Sequence, residues 1–166
     1  MINGHMQIRG FNLIHVLQHA AKVHSDIEVV TNSVEGGVTR FTYSEVYSRT
    51  CQLANALTRL GVGSGDRVGT MAWNTWRHLE CWYAIGGSGA VCHTLNPRLF
   101  ADQIDFIVNH AEDRFIFVDS TFVPVLASVI DRLPTLEGLV IMTDAEHMPD
   151  VSNFKIPVHC YEDLIS

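Results

Sequence analysis

The densest glycine run, Gly61-Val62-Gly63-Ser64-Gly65-Asp66-Arg67, has the composition of a loop that could wrap a phosphate. It carries neither the G-x-x-x-x-G-K-S/T nor the G-x-G-x-x-G spacing, and a strand pattern follows it, so no helix amino terminus would face the anion. The run reads as a turn. Gly86-Gly87-Ser88-Gly89 lies between a helical stretch and a strand, where glycine gives a left-handed stop or close packing. His15 and His19 are four apart, as in a zinc protease, but Val16-Leu17-Gln18 between them supplies no glutamate base, which leaves surface histidines. Cys92-His93 pairs a thiol with a base in sequence only, because neighbours on a strand point to opposite faces. Trp73, Trp76, Trp82 and Tyr83 could form a ligand platform; aromatics on a covering helix are expected in the core.

These residues need elements to hold them. Phe11, Ile14, Leu17, Ala21 and Val23 fall near helical spacing, predicting a helix over Phe11 to His24. Glu28 to Thr31 and Val38 to Phe41 are β-prone runs separated by a segment ending in Glu35-Gly36-Gly37, a hairpin pattern. Thr42 with Glu45 forms a capping box, and the helix behind it runs through Val46, Leu53, Leu57 and Leu60 to a stop at Gly61.

From Asp66 the pattern becomes strand, cap and helix in repetition. Strands are expected at Arg67 to Ala72, Ala90 to Thr94, Phe115 to Asp119 and Leu139 to Thr143. Between them come a helix capped by Asn74, one over Ala101 to His110, and one over Thr121 to Arg132. The fold class is therefore α/β, a mostly parallel sheet flanked by helices on both faces, with the small β-hairpin as an appendage. Asp144 to Lys155 reads as a surface loop. A last strand, Pro157 to Cys160, leads into Tyr161 to Ser166, a helix with a start and no end, which suggests truncation.

With 47% hydrophobic and 17% charged residues over 166 positions, the chain has the composition of one packed domain. Eighteen acids against eleven bases give a net charge of −7, and without a basic run nucleic acid is excluded as a partner. The four cysteines show no C-x-x-C or metal spacing, so free thiols in a reducing compartment are expected. Met1 to Arg9 holds no leader-like apolar core, and no stretch approaches the ~18 apolar residues of a membrane span. The reading is a cytoplasmic protein with no transmembrane segment.

Three segments carry a resemblance. Phe41-Thr42-Tyr43-Ser44-Glu45, Leu53-Ala54-Asn55-Ala56-Leu57, Leu60-Gly61-Val62 and Gly65-Asp66-Arg67-Val68 occur in the order seen at the opening of AMP-forming ligases. Ala72-Trp73-Asn74-Thr75-Trp76-Arg77-His78-Leu79-Glu80 is the second. The third is Gly89-Ala90-Val91-Cys92-His93-Thr94-Leu95-Asn96-Pro97-Arg98-Leu99 with Asn109-His110-Ala111-Glu112-Asp113. Together they are similar to medium- and long-chain fatty acyl-CoA synthetases of the adenylate-forming superfamily; luciferases, coumarate ligases and peptide-synthetase adenylation domains share the first segment more loosely, and another adenylate-forming ligase of the aryl-CoA type is the alternative.

The resemblance implies that residues 1–166 are a partial N-terminal domain, and that the parent joins a fatty acid to CoA through an acyl-adenylate, using ATP, CoA and Mg2+. The family's phosphate loop, rich in Ser, Thr and Gly and ending in Pro-Lys-Gly, is not in this sequence. Nor are the later ribose-binding acid, the hinge and the C-terminal lysine. Without groups to neutralise the triphosphate and the developing charge, the chain alone is expected to be inactive, with no catalytic or metal residues and no tight cofactor binding. The family places the turn after the Ala90 to Thr94 strand toward CoA, which makes Asn96, Pro97 and Arg98 cofactor-binding candidates, with a tight turn and a surface ion pair as the alternative. The rival functions are a non-catalytic dimerisation module forming a homodimer, and a free-standing dinucleotide-binding domain, which the missing fingerprint glycines oppose.

Overall fold

The computed structural model describes Gly4 and residues 10–166. Apart from Gly4, the leader reading of Met1 to Arg9 falls outside the described residues. Among the described residues, no helix is long and apolar enough to cross a membrane.

The first helix, α1, spans Ile14–Val23, with the Ile14 N–H donating to Asn12 Oδ1 at 3.1 Å. It is shorter than expected, and Phe11 and Val23 are exposed, so Leu17 is its buried anchor. Strands β1 (Glu28–Asn32) and β2 (Val38–Thr42) form the expected antiparallel hairpin, pairing Glu28 with Thr42 and Asn32 with Val38. Helix α2 (Tyr43–Arg59) opens on the capping box: the Glu45 N–H donates to Thr42 Oγ1 at 3.2 Å, and the Thr42 N–H to Glu45 Oε2 at 2.7 Å. Gly61, at φ +77°, ends it in the left-handed region, with the Val62 N–H donating back to Leu57 O.

The remaining strands are β3 (Arg67–Met71), β4 (Val91–Thr94), β5 (Phe115–Val118), β6 (Gly138–Ile141) and β7 (Val158–Cys160). They form one parallel five-stranded sheet in the order β4-β3-β5-β6-β7. Its central strands Phe115-Ile116-Phe117-Val118 and Gly138-Leu139-Val140-Ile141 are buried at every position, as a sheet covered on both faces requires. On one face α2, α3 (Trp76–Gly87) and α6 (Tyr161–Ile165) pack Leu53, Leu57, Cys81 and Tyr161 onto Val68 and Phe117. On the other, α4 (Ala101–Ala111) and α5 (Val123–Ala127) pack Ile104, Val108 and Leu126 onto Ile116, Val118 and Leu139. Each such side chain, fully buried, contributes roughly 1.5–3 kcal/mol.

Two expectations need correction. Thr75, not Asn74, caps α3; its extended backbone (φ −109°, ψ 170°) lets Oγ1 accept the His78 N–H. The expected helix over Thr121 to Arg132 is three pieces: a 3-10 turn at Ser120–Phe122, α5, and a 3-10 turn at Ile130–Arg132. Pro124 lacks an N–H and is tolerated only in a first turn, so it sets a start there. The Ser128 hydroxyl then donates to Val125 O at 2.6 Å, competing with helix continuation.

Candidate functional site at the carboxyl edge of the sheet

Parallel strands bring the residues that follow each of them to one edge. The path from β3 goes outward to β4, then returns across β3 to β5 and continues to β6 and β7. The chain therefore leaves β3 and β5 in opposite directions, which opens a crevice beyond their carboxyl ends, the position where sheets of this topology take ligands.

Asp119 follows β5 there. It is 1% exposed, and its carboxylate accepts the Trp73 N–H at 2.5 Å. Burial pushes its pKa up to about 6, against the Trp73 hydrogen bond and the charge of Arg77. The Trp73 indole donates to Thr121 Oγ1 at 3.1 Å, and its ring lies 5.0 Å from that of Phe122. Trp73 is 47% exposed and Trp82 44%, so the expectation that these aromatics are core holds for Trp76 and fails for both of them. Trp73 lies in the turn between β3 and α3, and Trp82 on the outer face of α3, where about half of each side chain meets solvent.

His78 links this edge to the sheet. An indole N–H can only donate, so Trp82 Nε1, 3.1 Å from His78 Nε2, fixes that nitrogen as an acceptor. Nδ1 then carries the proton and donates to Trp73 O at 3.1 Å, while the Thr70 hydroxyl oxygen lies 3.1 Å from Nε2. Burial lowers the His78 pKa, consistent with a neutral ring.

Beneath the edge is a buried ionic network. Arg77 Nε pairs with Glu162 at 2.8 Å, and its Nη1 pairs with Glu35 of the hairpin at 2.5 Å and donates to Met142 O at 3.1 Å. Arg49 pairs with the fully buried Glu80 at 2.6 Å, and the Tyr161 hydroxyl donates to Glu80 at 2.6 Å. Burial raises the Glu80 pKa in spite of Arg49, whereas for Glu35 the hydrogen bonds and the charge of Arg77 outweigh burial and the pKa falls. The sequence shows each of these charges, but not that helices α2, α3 and α6 would turn them onto one another.

Of the residues singled out in the sequence, Asn96, Pro97 and Arg98 follow β4 at the same edge. The turn forms: the Arg98 N–H donates to Asn96 Oδ1 at 3.0 Å and the Leu99 N–H to Asn96 O at 3.2 Å. Arg98 is exposed and makes no ion pair among the described residues, unlike Arg77, which pairs with both Glu35 and Glu162. Cys92 and His93 do part to opposite faces. Cys92 Sγ meets Thr70 Oγ1 at 4.0 Å and burial pushes its thiol up to about 11, while His93 Nδ1 meets the buried Asp113 at 2.8 Å. Gly69, paired with His93, makes that second contact possible, since a Cβ there would lie 3.3 Å from Asp113 Oδ2. The two glycine runs act as turns, with Gly65 and Gly89 at positive φ and the Gly65 N–H donating to Gly89 O. His15 is half-buried and His19 exposed. Among the described residues, no group of three or more His, Cys, Asp or Glu side chains gathers as a metal site.

The parallel sheet, with helices on both faces and a crevice at its switch point, is of the doubly wound α/β class, in which ligands bind beyond the carboxyl ends of the strands. Residues 17–160 match the family model described as AMP-binding enzyme, and the chain belongs to that family. It is 43% identical over 151 residues to the medium-chain-fatty-acid–CoA ligase of Ectopseudomonas oleovorans, covering 90% of this chain and 27% of that protein. It is also 42% identical over 139 residues to the 3-methylmercaptopropionyl-CoA ligase of Ruegeria lacuscaerulensis, 84% of this chain and 26% of that one. The chain thus spans about a quarter of the length of these curated relatives. Among solved structures, an anthranilate CoA ligase in complex with anthranoyl-AMP superposes with a TM-score of 0.80 at 22% identity, over 93% of this chain and 28% of that one. That likeness is one of fold.

Proposed function

We propose that this chain is part of the N-terminal domain of an ATP-dependent, AMP-forming fatty acid–CoA ligase. The family match over residues 17–160, joined to relatives named as ligases of medium- and long-chain fatty acids, carries the reading. The parent takes a fatty acid, ATP and CoA, with Mg2+ at the triphosphate, and works in the cytoplasm. This chain by itself does not adenylate, because nothing in it offsets the triphosphate charge.

The turn Asn96-Pro97-Arg98 is the part of this chain assigned to CoA. What supports it is an exposed guanidinium, free of carboxylates among the described residues, on a rigid turn at the crevice edge. The test is pyrophosphate release with ATP, magnesium, CoA and fatty acids of graded length, on this chain and on the full reading frame. Activity is expected in the longer protein alone; turnover by the short chain would overturn the argument from the missing phosphate loop, and silence in both would favour the non-catalytic module. In the active protein, Arg98→Ala is expected to raise the KM for CoA about tenfold, equivalent to about 1.4 kcal/mol, with kcat kept. An unchanged KM removes Arg98 from the CoA site.

A second reading, a homodimerising module, is favoured by β4 and β7, each of which is hydrogen-bonded to a neighbouring strand on one side only. A strictly monomeric sedimentation profile across a wide concentration range would exclude it.

A further inference from the structure

Helix α1 ends in a pair of imidazoles that the fold brings together. In the sequence His19 stands four residues after His15, but the ring that meets His19 is that of His24, with centroids 6.0 Å apart and an interplanar angle of 75°. His15 is engaged elsewhere: its Nδ1 accepts the Asn12 N–H at 3.4 Å and its ring lies edge-on to Phe11. The backbone accounts for the pairing. His24 follows the last turn of α1 at φ −127° and ψ 38°, where its N–H still donates to Ala20 O at 2.8 Å while the chain leaves the helix. Beyond it, the Ile27 N–H donates to His24 O at 3.1 Å and the Ser44 N–H to Ser25 O at 3.3 Å, so the turn that carries His24 is tied to the start of α2.

Both rings are exposed, and neither makes a hydrogen bond among the described residues. Imidazole nitrogen binds a divalent transition ion at about 2.0–2.1 Å, which puts two rings that share one tetrahedral ion about 5 Å apart, centre to centre. The pair at 6.0 Å reaches that separation by about 1 Å of side-chain rotation, which exposure leaves free to both rings. The carboxyl end of a helix also carries the equivalent of roughly half a negative charge on its unpaired carbonyls, which favours a cation beside it. Lys22, in the same turn, is exposed, and its long stem lets the ammonium turn into solvent.

We propose that His19 and His24 form a two-histidine site for a late first-row divalent ion, Ni2+, Cu2+ or Zn2+, with water in its remaining positions. Imidazole selects this class over Mg2+, which takes oxygen ligands, so the site is separate from the magnesium of the proposed adenylation and is tested on this chain alone. With two protein ligands rather than the three or four of a catalytic or structural zinc centre, the ion is exchangeable.

The experiment titrates the untagged, 15N-labelled 166-residue protein with Ni2+ alone and follows the paramagnetic loss of amide signals. Saturable loss centred on His19 and His24 is expected, unchanged by about a hundredfold excess of Mg2+. Co2+ is expected to bind more weakly than Ni2+. His19→Ala and His24→Ala are each expected to weaken Ni2+ about tenfold, and His15→Ala less than about twofold. Both substituted rings of the first two variants are exposed, so their signals away from α1 stay as in the wild type. Wild-type affinity in either of those variants, or a loss in His15→Ala equal to that in His19→Ala, would overturn the proposal. So would equal signal loss around the surface histidines His110 and His147, which would show adventitious binding to single rings only.

Discussion

Asp119 is a carboxyl held where its ionised form is unwelcome. Buried, it keeps one hydrogen bond from the Trp73 backbone, and its pKa rises from the ordinary 3.8 to about 6. The folded state thus binds the proton more tightly than the unfolded chain. Its contribution to stability is fully present below about pH 4 and is lost as pH rises through 6, amounting to about 3 kcal/mol. Asp119→Asn keeps an acceptor for Trp73 and removes the titration. Urea unfolding of both proteins from pH 4 to pH 7.5 is expected to show the wild type losing stability relative to the variant by about that amount. A constant difference would mean that Arg77, which faces this carboxyl, keeps it ionised throughout. In the sequence Asp119 is only the acid after an apolar strand, and the cost of ionising it follows from the sheet that buries it.

At the scale of elements, local chemistry decided most of what could be read. Thr42 and Glu45 satisfy each other's backbone donors within one turn, so the start of α2 was legible without any tertiary contact. Thr42→Ala should cost about 1 kcal/mol, measurable as a lowered urea midpoint at unchanged slope; no loss would mean that packing of Val46 and Leu53 alone sets the helix. The parallel strands were legible because burial on both faces demands unbroken apolar runs such as Phe115 to Val118. Where the reading failed, competing local bonds won. Thr121 to Arg132 has helical periodicity, but Pro124 and Ser128 each offer the backbone another arrangement. The exposure of Trp82 was not legible, because it depends on which face of α3 is left uncovered, and that of Trp73 was not, because it depends on where the turn after β3 meets Thr121 and Phe122. The crevice was not legible either: it arises from strand order, and Trp73 and Asp119 meet only because β3 and β5 are neighbours.

Across the whole molecule, one guanidinium ties distant parts together. Arg77 reaches from α3 to the hairpin through Glu35, to α6 through Glu162, and to the end of β6 through Met142 O, and the Thr143 hydroxyl completes the cluster on Glu35. Besides this ion pair, the hairpin meets α3 in the Phe41–Trp76 ring contact at 5.7 Å. Removing one partner of a buried pair leaves the other charges uncompensated, which costs about 3–5 kcal/mol. Arg77→Met is therefore expected to lower global stability by roughly that amount and to speed hydrogen exchange in β1 and β2 more than in β5 and β6. The double variant Arg77→Met, Glu35→Gln removes the charge stranded in the hairpin and should recover part of both effects, because the two positions share one network. Uniformly faster exchange in all strands, with no recovery in the double variant, would mean that Arg77 supports the central sheet rather than the hairpin. The hairpin would then be fastened chiefly through Phe41, which packs on the Trp76 ring at 5.7 Å and under the Arg49 guanidinium at 5.0 Å.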